Sequence, residues 1–373
     1  MPRTHRIAVI GSTGKGDYGH GLDTAFVGVD RARIVAVADD DPKGREAAAK
    51  RIGAERAYAD YREMLAKEKP DVVCIGPRWI TDRVPMTEAV VGAGCHVYCE
   101  KPMAGSLAEA DVMVAAVRKA GVKFAMAHQW RASPPVQQAI RDVAAGKYGR
   151  LLRVRARAKD DARGGGEELL VHGTHLFDLM MAFAGPPRWV SGHVGVGPRD
   201  ATKADARQGT EPCGTIVGDS ISAMYGFDGG VRGYFDSTAG LAVGKRDWDH
   251  LYGLSLECER ALLYLRQPGD VYIYPAPLVL PDLSKLEWSK LWVEAWHFTA
   301  EHQPRDHAKT FIREGNTYLA HDLLDAIERD REPLSPISAG RLVSEMVQGV
   351  YASHLEGGRR LAIPLVERAS PLE

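Results

Sequence analysis

His172, His175 and Asp178 recur at every third residue of an otherwise apolar stretch, and on a helix that spacing sets neighbouring members near one face. A histidine titrates near neutrality, which suits His175 to proton exchange; a lone histidine among apolar neighbours is more often a satisfied core group. The trio also imitates a metal-ligand set, yet no HExxH-type spacing accompanies it and no metal is expected. Just upstream, Arg157, Lys159, Asp160, Asp161 and Arg163 precede a glycine run, and such charges line a polyol pocket or a solvated loop equally well. Downstream, Trp248 stands with Asp247, Asp249 and His250, a mixture in which a sugar's C–H face packs on a ring while its hydroxyls meet polar partners. Near the N-terminus, Gly11, Gly14, Gly16, Gly19 and Gly21 follow an apolar run, and Asp39 ends the next. Residues without a Cβ let backbone N–H groups approach a pyrophosphate at the mouth of a helix. An acid in the place of Asp39 accepts both ribose hydroxyls of an adenosine and repels a 2'-phosphate, which favours NAD over NADP. The aspartates 39 to 41 also suit the cap of a helix that begins at Pro42.

The elements that must position these groups follow from hydrophobic patterning. Arg6 to Ile10 and Ile34 to Ala38 read as strands, with the glycine-rich turn and a helix-compatible segment, Gly21 to Gly28, between them. Val72 to Ile75 follows a helical stretch ending near Lys69, and His96 to Cys99 follows another helix containing Met86 to Val91. A fifth strand is expected at Lys123 to Ala127. Such alternation implies a parallel, doubly wound sheet. The glycines depart from GxGxxG, since Gly11 to Gly14 reads GxxG and Lys15 to His20 lengthen the loop. Farther on, Leu151 to Ala158, Ile221 to Phe227, Val231 to Phe235, Leu251 to Cys258 and Ala261 to Leu265 are strand-like by content or alternation.

At 373 residues the chain is expected to form two domains. Its 45% hydrophobic and 26% charged residues are ordinary for a globular protein, which argues against disorder. With 48 basic against 49 acidic residues and no long run of either sign, it offers no nucleic-acid or membrane footprint, so a small-molecule partner is expected. Met1 to Arg6 lead into a strand without an apolar signal core, which suggests a cytoplasmic protein. The five cysteines, Cys74, Cys95, Cys99, Cys213 and Cys258, form no CxxC and read as buried reduced thiols.

The fourth strand ends His96, Val97, Tyr98, Cys99, Glu100, Lys101, Pro102, and this resembles the glucose-fructose oxidoreductase/inositol dehydrogenase (Gfo/Idh/MocA) family, which carries Glu-Lys-Pro there. The likeness continues through Trp130, Arg131, Pro134 and Pro135, through Gly164 to Gly185, and into Tyr351 to Pro364, so it covers essentially the whole chain. It implies an α/β protein with an N-terminal Rossmann domain, residues 1–127, and a C-terminal α+β domain, residues 128–373. The second would hold a large open, mainly antiparallel sheet that serves substrate binding and homo-oligomerisation as a dimer or tetramer, its last helix free to pack back on the first domain.

By the same resemblance, Lys101 and His175 handle the proton of a reacting hydroxyl, Lys101 from the domain interface. Pro102 follows a cis bond, and Glu100 orients the lysine or the cofactor amide. Cofactor contacts fall on Gly11, Ser12, Thr13, Gly14, Asp39, Pro77, Arg78, Trp79, Glu100, Lys101 and Arg131, with Thr81 where the family more often has histidine. Substrate contacts fall on Lys101, Asp161, Arg163, His172, His175, Asp178 and Trp248. The family's aspartate four residues before its histidine is here Val171, so His172, Asp161, Glu167 or Glu168 takes over part of that role, His175 and Lys101 act alone, or the reaction differs. Three functions are consistent with this pattern. The first is an NAD-dependent oxidoreductase moving a hydride between a secondary hydroxyl of a sugar, polyol or glycoside and nicotinamide. The others are NAD-recycling cleavage or isomerisation of a glycoside through a transient keto-sugar, and a non-catalytic, NAD-responsive sugar sensor.

Overall fold

A computed structural model describes residues 3–241, 252–266, 269–274, 287–307 and 310–373. The chain divides into two units, Met1–Gln129 with Pro212–Gly214 and Ile312–Ser344, and Trp130–Glu211 with Thr215–Phe311 and Glu345–Glu373. Among the described residues no helix is long and apolar enough to cross a membrane.

In the first unit, strands β1 (His5–Ile10), β2 (Ala32–Ala38), β3 (Arg56–Tyr58), β4 (Val72–Ile75), β5 (His96–Cys99) and β6 (Phe124–Met126) form one parallel sheet in the order β3-β2-β1-β4-β5-β6. This is the doubly wound order expected, with a switch point between β1 and β4. Its central strands are apolar without interruption because both faces are covered. Ile10, Val35, Val73, Ile75 and Val97 are buried with Met64, Val90, Met113 and Phe124 in one core. Burying each such side chain contributes roughly 1.5–3 kcal/mol.

The helices of this unit are bounded by local chemistry. Helix α1 (Pro42–Ile52) has proline at its first turn, the Asp41 carboxylate accepting from Gly44 N at its head, and left-handed Gly53 at its end. Helices α2 (Tyr61–Glu68) and α3 (Arg83–Gly92) follow. Helix α4 (Leu107–Ala120) starts with a reciprocal Ser106 and Glu109 capping box. One expectation fails: Gly21 to Gly28 form no α-helix, only the 3-10 turn Leu22–Thr24. Gly21 and Gly28 both adopt positive φ, so a left-handed residue closes the segment at each end.

The second unit begins with α5 (Pro134–Ala144), β7 (Leu151–Arg157), α6 (Gly166–Val171) and α7 (Gly173–Ala184). Strands β8 (Trp189–Val196), β9 (Arg199–Asp200), β10 (Arg207–Gln208), β11 (Thr215–Ile216), β12 (Ser220–Gly226) and β13 (Arg232–Thr238) come next. They are followed by β14 (Gly253–Cys258), β15 (Leu262–Arg266), β16 (Asp270–Tyr274), β17 (Ser289–Lys290) and α8 (Glu294–His297). Helix α9 (Phe311–Glu328) belongs to the first unit apart from Phe311, α10 (Ile337–Leu355) passes from the first unit into the second, and β18 (Leu361–Ala362) closes the chain. The large sheet runs β17-β16-β15-β14-β7-β13-β12-β8-β18, with β9 on β8, and β13 against β7 is its parallel pair. Alternate residues face one layer of helices: Phe177 of α7 packs on Tyr225 and Phe235 with ring centroids 5.4 and 5.0 Å apart. The opposite face carries Arg153 and Arg155, both paired with Glu257, and Arg155 also covers the Tyr234 ring. The strand-like runs read from the sequence thus become β7, β12, β13, β14 and β15 of an open, mainly antiparallel sheet.

Candidate active site

In the first unit the chemistry gathers at the carboxyl ends of β1, β2, β4 and β5, where an open parallel sheet leaves room for a ligand. A cleft of about 420 Å³ is lined there by Gly11, Ser12, Lys15, Asp39, Asp40, Tyr61, Arg62 and Met86, among others. Its size and its glycine, acid and aromatic lining fit the adenosine half of a dinucleotide.

The Asp39 carboxylate, however, is turned into the protein. Only 2% of the residue is exposed. It accepts from Tyr18 OH and Thr13 Oγ1, each at 2.7 Å, from Thr13 N at 3.2 Å and from Asp41 N at 3.0 Å. Burial opposes its charge, yet the bonds from Tyr18 and Thr13 hold the carboxyl below its ordinary value.

The glycine loop departs from the usual phosphate turn. With a 3-10 turn in place of the expected helix, no α-helical mouth stands behind it. Instead the loop packs on its neighbours: Arg78 N donates to Gly16 O at 3.3 Å, and a Cβ on Gly19, whose φ is +64°, would lie 2.3 Å from Glu100 Oε2 and 2.6 Å from Gly76 O. Pro77 O accepts from Arg83, and Trp79 is 41% exposed.

Glu100 has no exposure. Its carboxylate accepts from His20 N at 2.9 Å, from His20 Nδ1 at 3.1 Å and from Lys101 N at 3.1 Å. Burial disfavours this charge, but the charge and hydrogen bond of His20, with Lys101 beside it, bring the carboxyl down to about 2. The glutamate therefore holds the glycine loop through His20. His20 is fixed from its other side as well, where Asn316 Nδ2 donates to His20 O at 2.9 Å and Tyr98 OH donates to Asn316 Oδ1 at 2.6 Å. Lys101 is buried and its bond to Pro102 is cis. Arg83, also buried, donates to the carbonyls of Pro77, Glu100 and Pro102 and so ties the β4 loop to the β5 loop. Sequence reading passed over Tyr18, His20, Arg83 and Asn316. The spacing Asp17 to Gly21 hints at the loop partners, while no local signal marks Asn316.

In the second unit, Gly164 to Gly166 let the chain press against the backbones of Val217, Asp219 and Ala239 before α6 begins. After it, Glu168 lies in α6, His172 at the junction between α6 and α7, and His175 in the first turn of α7. Glu168 has no exposure and its Oε2 lies 2.6 Å from His172 Nδ1. Burial pushes the Glu168 carboxyl well above the usual carboxylate range, against the pull of Arg163 and Lys159. The Tyr252 ring meets His172 edge-on at 5.4 Å, and Lys159 Nζ lies 5.6 Å from the centre of that ring. His175, half-buried, donates its backbone N–H to His172 O at 3.1 Å. Arg131 Nη1 donates to Asp178 Oδ1 at 2.7 Å, and Val171 is buried. Asp161, Arg163, Glu168 and His172 are thus joined by ion pairs and hydrogen bonds. Trp248 and its neighbours Asp247, Asp249 and His250 lie outside the described residues. Among the described residues no three His, Cys, Asp or Glu side chains are arranged to hold a metal ion.

Residues 5–128 match the model of an oxidoreductase family with an NAD-binding Rossmann fold, GFO_IDH_MocA, and residues 136–255 match the GFO/IDH/MocA C-terminal domain. The chain is also 30% identical over 282 residues to trans-1,2-dihydrobenzene-1,2-diol dehydrogenase of Mus musculus, covering 71% of this chain and 78% of the mouse protein. The chain belongs to the Gfo/Idh/MocA oxidoreductase family. Another relative in that family, the D-apiose dehydrogenase of Paraburkholderia graminis, is 38% identical over 125 residues, 33% of each chain. Across several curated relatives the chain spans between 33% and 59% of their length. The Gfo/Idh/MocA fold itself extends over the whole molecule: a levoglucosan dehydrogenase solved with NADH and levoglucosan superimposes with a TM-score of 0.77 over 97% of this chain and all of that one, at 18% identity.

Proposed function

We propose that this protein is an NAD-dependent dehydrogenase that oxidises a secondary hydroxyl of a sugar, polyol or glycoside. The observation that carries the reading is Lys101 at the carboxyl end of β5, next to a buried, ionised Glu100 that is bound to the glycine loop through His20. Relatives named for apiose and levoglucosan support a carbohydrate substrate.

When bound, the nicotinamide supplies the hydride acceptor, and the adenosine half lies in the cleft beside Gly11, Ser12, Thr13, Gly14 and Asp39. The acids Asp39, Asp40, Asp60 and Asp82 around that cleft disfavour a 2'-phosphate, which supports NAD over NADP. Pro77, Arg78, Trp79 and Arg131 complete the proposed cofactor contacts.

The Lys101 ammonium donates to the reacting oxygen and favours the developing alkoxide, while His175 takes the hydroxyl proton. Glu168 holds His172 in one orientation immediately before His175, and Arg131 holds Asp178 one turn after it. These pairs stiffen the segment that presents His175, as a substrate-positioning site requires. Asp161, Arg163, His172 and Asp178 are the proposed substrate contacts.

Two proposals concern the setting. The open face of the large sheet pairs two chains, as a dimer or tetramer, and sedimentation velocity at micromolar concentration is expected to show no monomer peak. A cytoplasmic location suits five cysteines that are all buried. The function itself is tested by incubating the purified chain with NAD and a panel of sugars, polyols and glycosides while following NADH. Steady NADH formation with a keto product is expected, and no NADH with any member contradicts the reading.

A further inference from the structure

The ion pairs around the His175 segment bear on the charge of the substrate, and this inference rests on the dehydrogenase reading. Arg163 Nη1 lies 2.6 Å from Glu211 Oε1, and Nη2 lies 3.3 Å from Glu168 Oε1 and 3.6 Å from Asp161 Oδ2. Arg157 is 2.5 Å from Asp160, and Arg131 is 2.7 Å from Asp178. In each set the carboxylate includes the most deeply buried group: Glu168 and Asp178 have no exposure, and Asp160 has 5%. Glu167, also buried, accepts from Thr210 Oγ1 and Glu211 N. Among the described residues of this segment, then, each arginine is matched by at least one carboxylate; Arg163 holds Asp161 and Glu211 as well as the buried Glu168 carboxyl, whose ionisation burial opposes, with Lys159 nearby.

An anion entering such a set meets like charge before it meets a released guanidinium. Drawing Arg163 away would strip the part-buried Glu211 and Asp161 of their counter-charge, which is unfavourable. The hydroxyls of an uncharged sugar instead donate to the carboxylates and accept from the guanidinium, and no charge needs a new partner.

We propose that this site selects uncharged sugars or glycosides and rejects sugar acids, with the carboxylate-saturated Arg163 as the selecting element. The full chain is assayed with NAD on matched pairs, each a neutral hexoside and the corresponding uronic acid glycoside, in several stereochemical series. Binding of the same pairs is measured by calorimetry. The neutral member is expected to exceed its acid in kcat/KM and in affinity by about 100-fold, the scale of a like-charge penalty. Glu211→Gln, checked for an unchanged circular dichroism spectrum, removes one carboxylate from Arg163 and is expected to narrow that preference about tenfold by improving the acid. Equal or better use of the acid by the unaltered chain overturns the proposal. An unchanged preference in folded Glu211→Gln overturns the role of Arg163. If no pair yields NADH, the dehydrogenase reading fails alone, because the calorimetric preference still decides the question of charge.

Discussion

Lys101 follows a carboxylate that the fold has sealed from water, and the two residues make separable predictions. Lys101→Met removes the ammonium from the proposed alkoxide, so kcat is expected to fall about 10²- to 10⁴-fold while the Kd for NAD, read by fluorescence titration, moves less than roughly threefold. A large loss of NAD affinity with kcat retained would assign the lysine to cofactor binding instead. Glu100 acts on stability. Its carboxyl is depressed to about 2 in the folded chain, so its contribution is complete above the ordinary glutamate value and is lost as pH falls through about 2. Glu100→Gln should therefore lower the urea unfolding free energy at neutral pH by on the order of 3 kcal/mol, with a smaller gap near about pH 3. A gap that widens in acid would contradict that assignment. Of this pair, the lysine was legible because Glu100, Lys101 and Pro102 are contiguous. The partner of Glu100 was not, because His20 lies 80 residues away and is itself held by Asn316, in a helix near the other end of the chain. Arg83 has the sequence context of an exposed helix start, and only the converging carbonyls of Pro77, Glu100 and Pro102 explain its burial.

Among the elements, the glycine loop is where local pattern and structure part most. Glycines after a first strand suggested a phosphate turn leading into a helix, and five of the six strands of that sheet were read from their apolar runs, whereas β3, three residues with no apolar run, was not. The helix does not form, because the extended loop and two left-handed glycines leave room for a 3-10 turn alone. Contact with Glu100 and Gly76 is what Gly19 supplies. Alanine there would occupy a left-handed conformation that costs about 1–2 kcal/mol and would also collide with both neighbours. Gly19→Ala is accordingly expected to weaken NAD binding about tenfold or more while the far-ultraviolet circular dichroism stays that of the folded protein. Unchanged affinity would show that the loop's packing on Glu100 does not set the cofactor site. The helical spacing of His172, His175 and Asp178 was visible in the sequence, but the identities of their partners were not. Glu168 reaches His172 across one turn, and Asp178 takes Arg131 from the segment before α5.

At the scale of the whole molecule, fold class was the most legible property, since alternation of strand and helix, then a series of strand-like runs, encodes two different sheets. The first unit carries Lys101 at the carboxyl end of β5, and the second carries His175 and the ion pairs around it. The identity of the sugar is written in side-chain pairings that cross tens of residues, which is why the sequence alone left it open. The most direct measurement follows the hydride. A glycoside deuterated at every ring carbon, oxidised in the presence of NAD, is expected to deliver one deuterium to C4 of nicotinamide for each keto-glycoside formed, as read by mass spectrometry. Keto product accompanied by unlabelled NADH, or turnover of the glycoside with no labelled NADH at all, would contradict a net transfer of hydride from sugar to NAD.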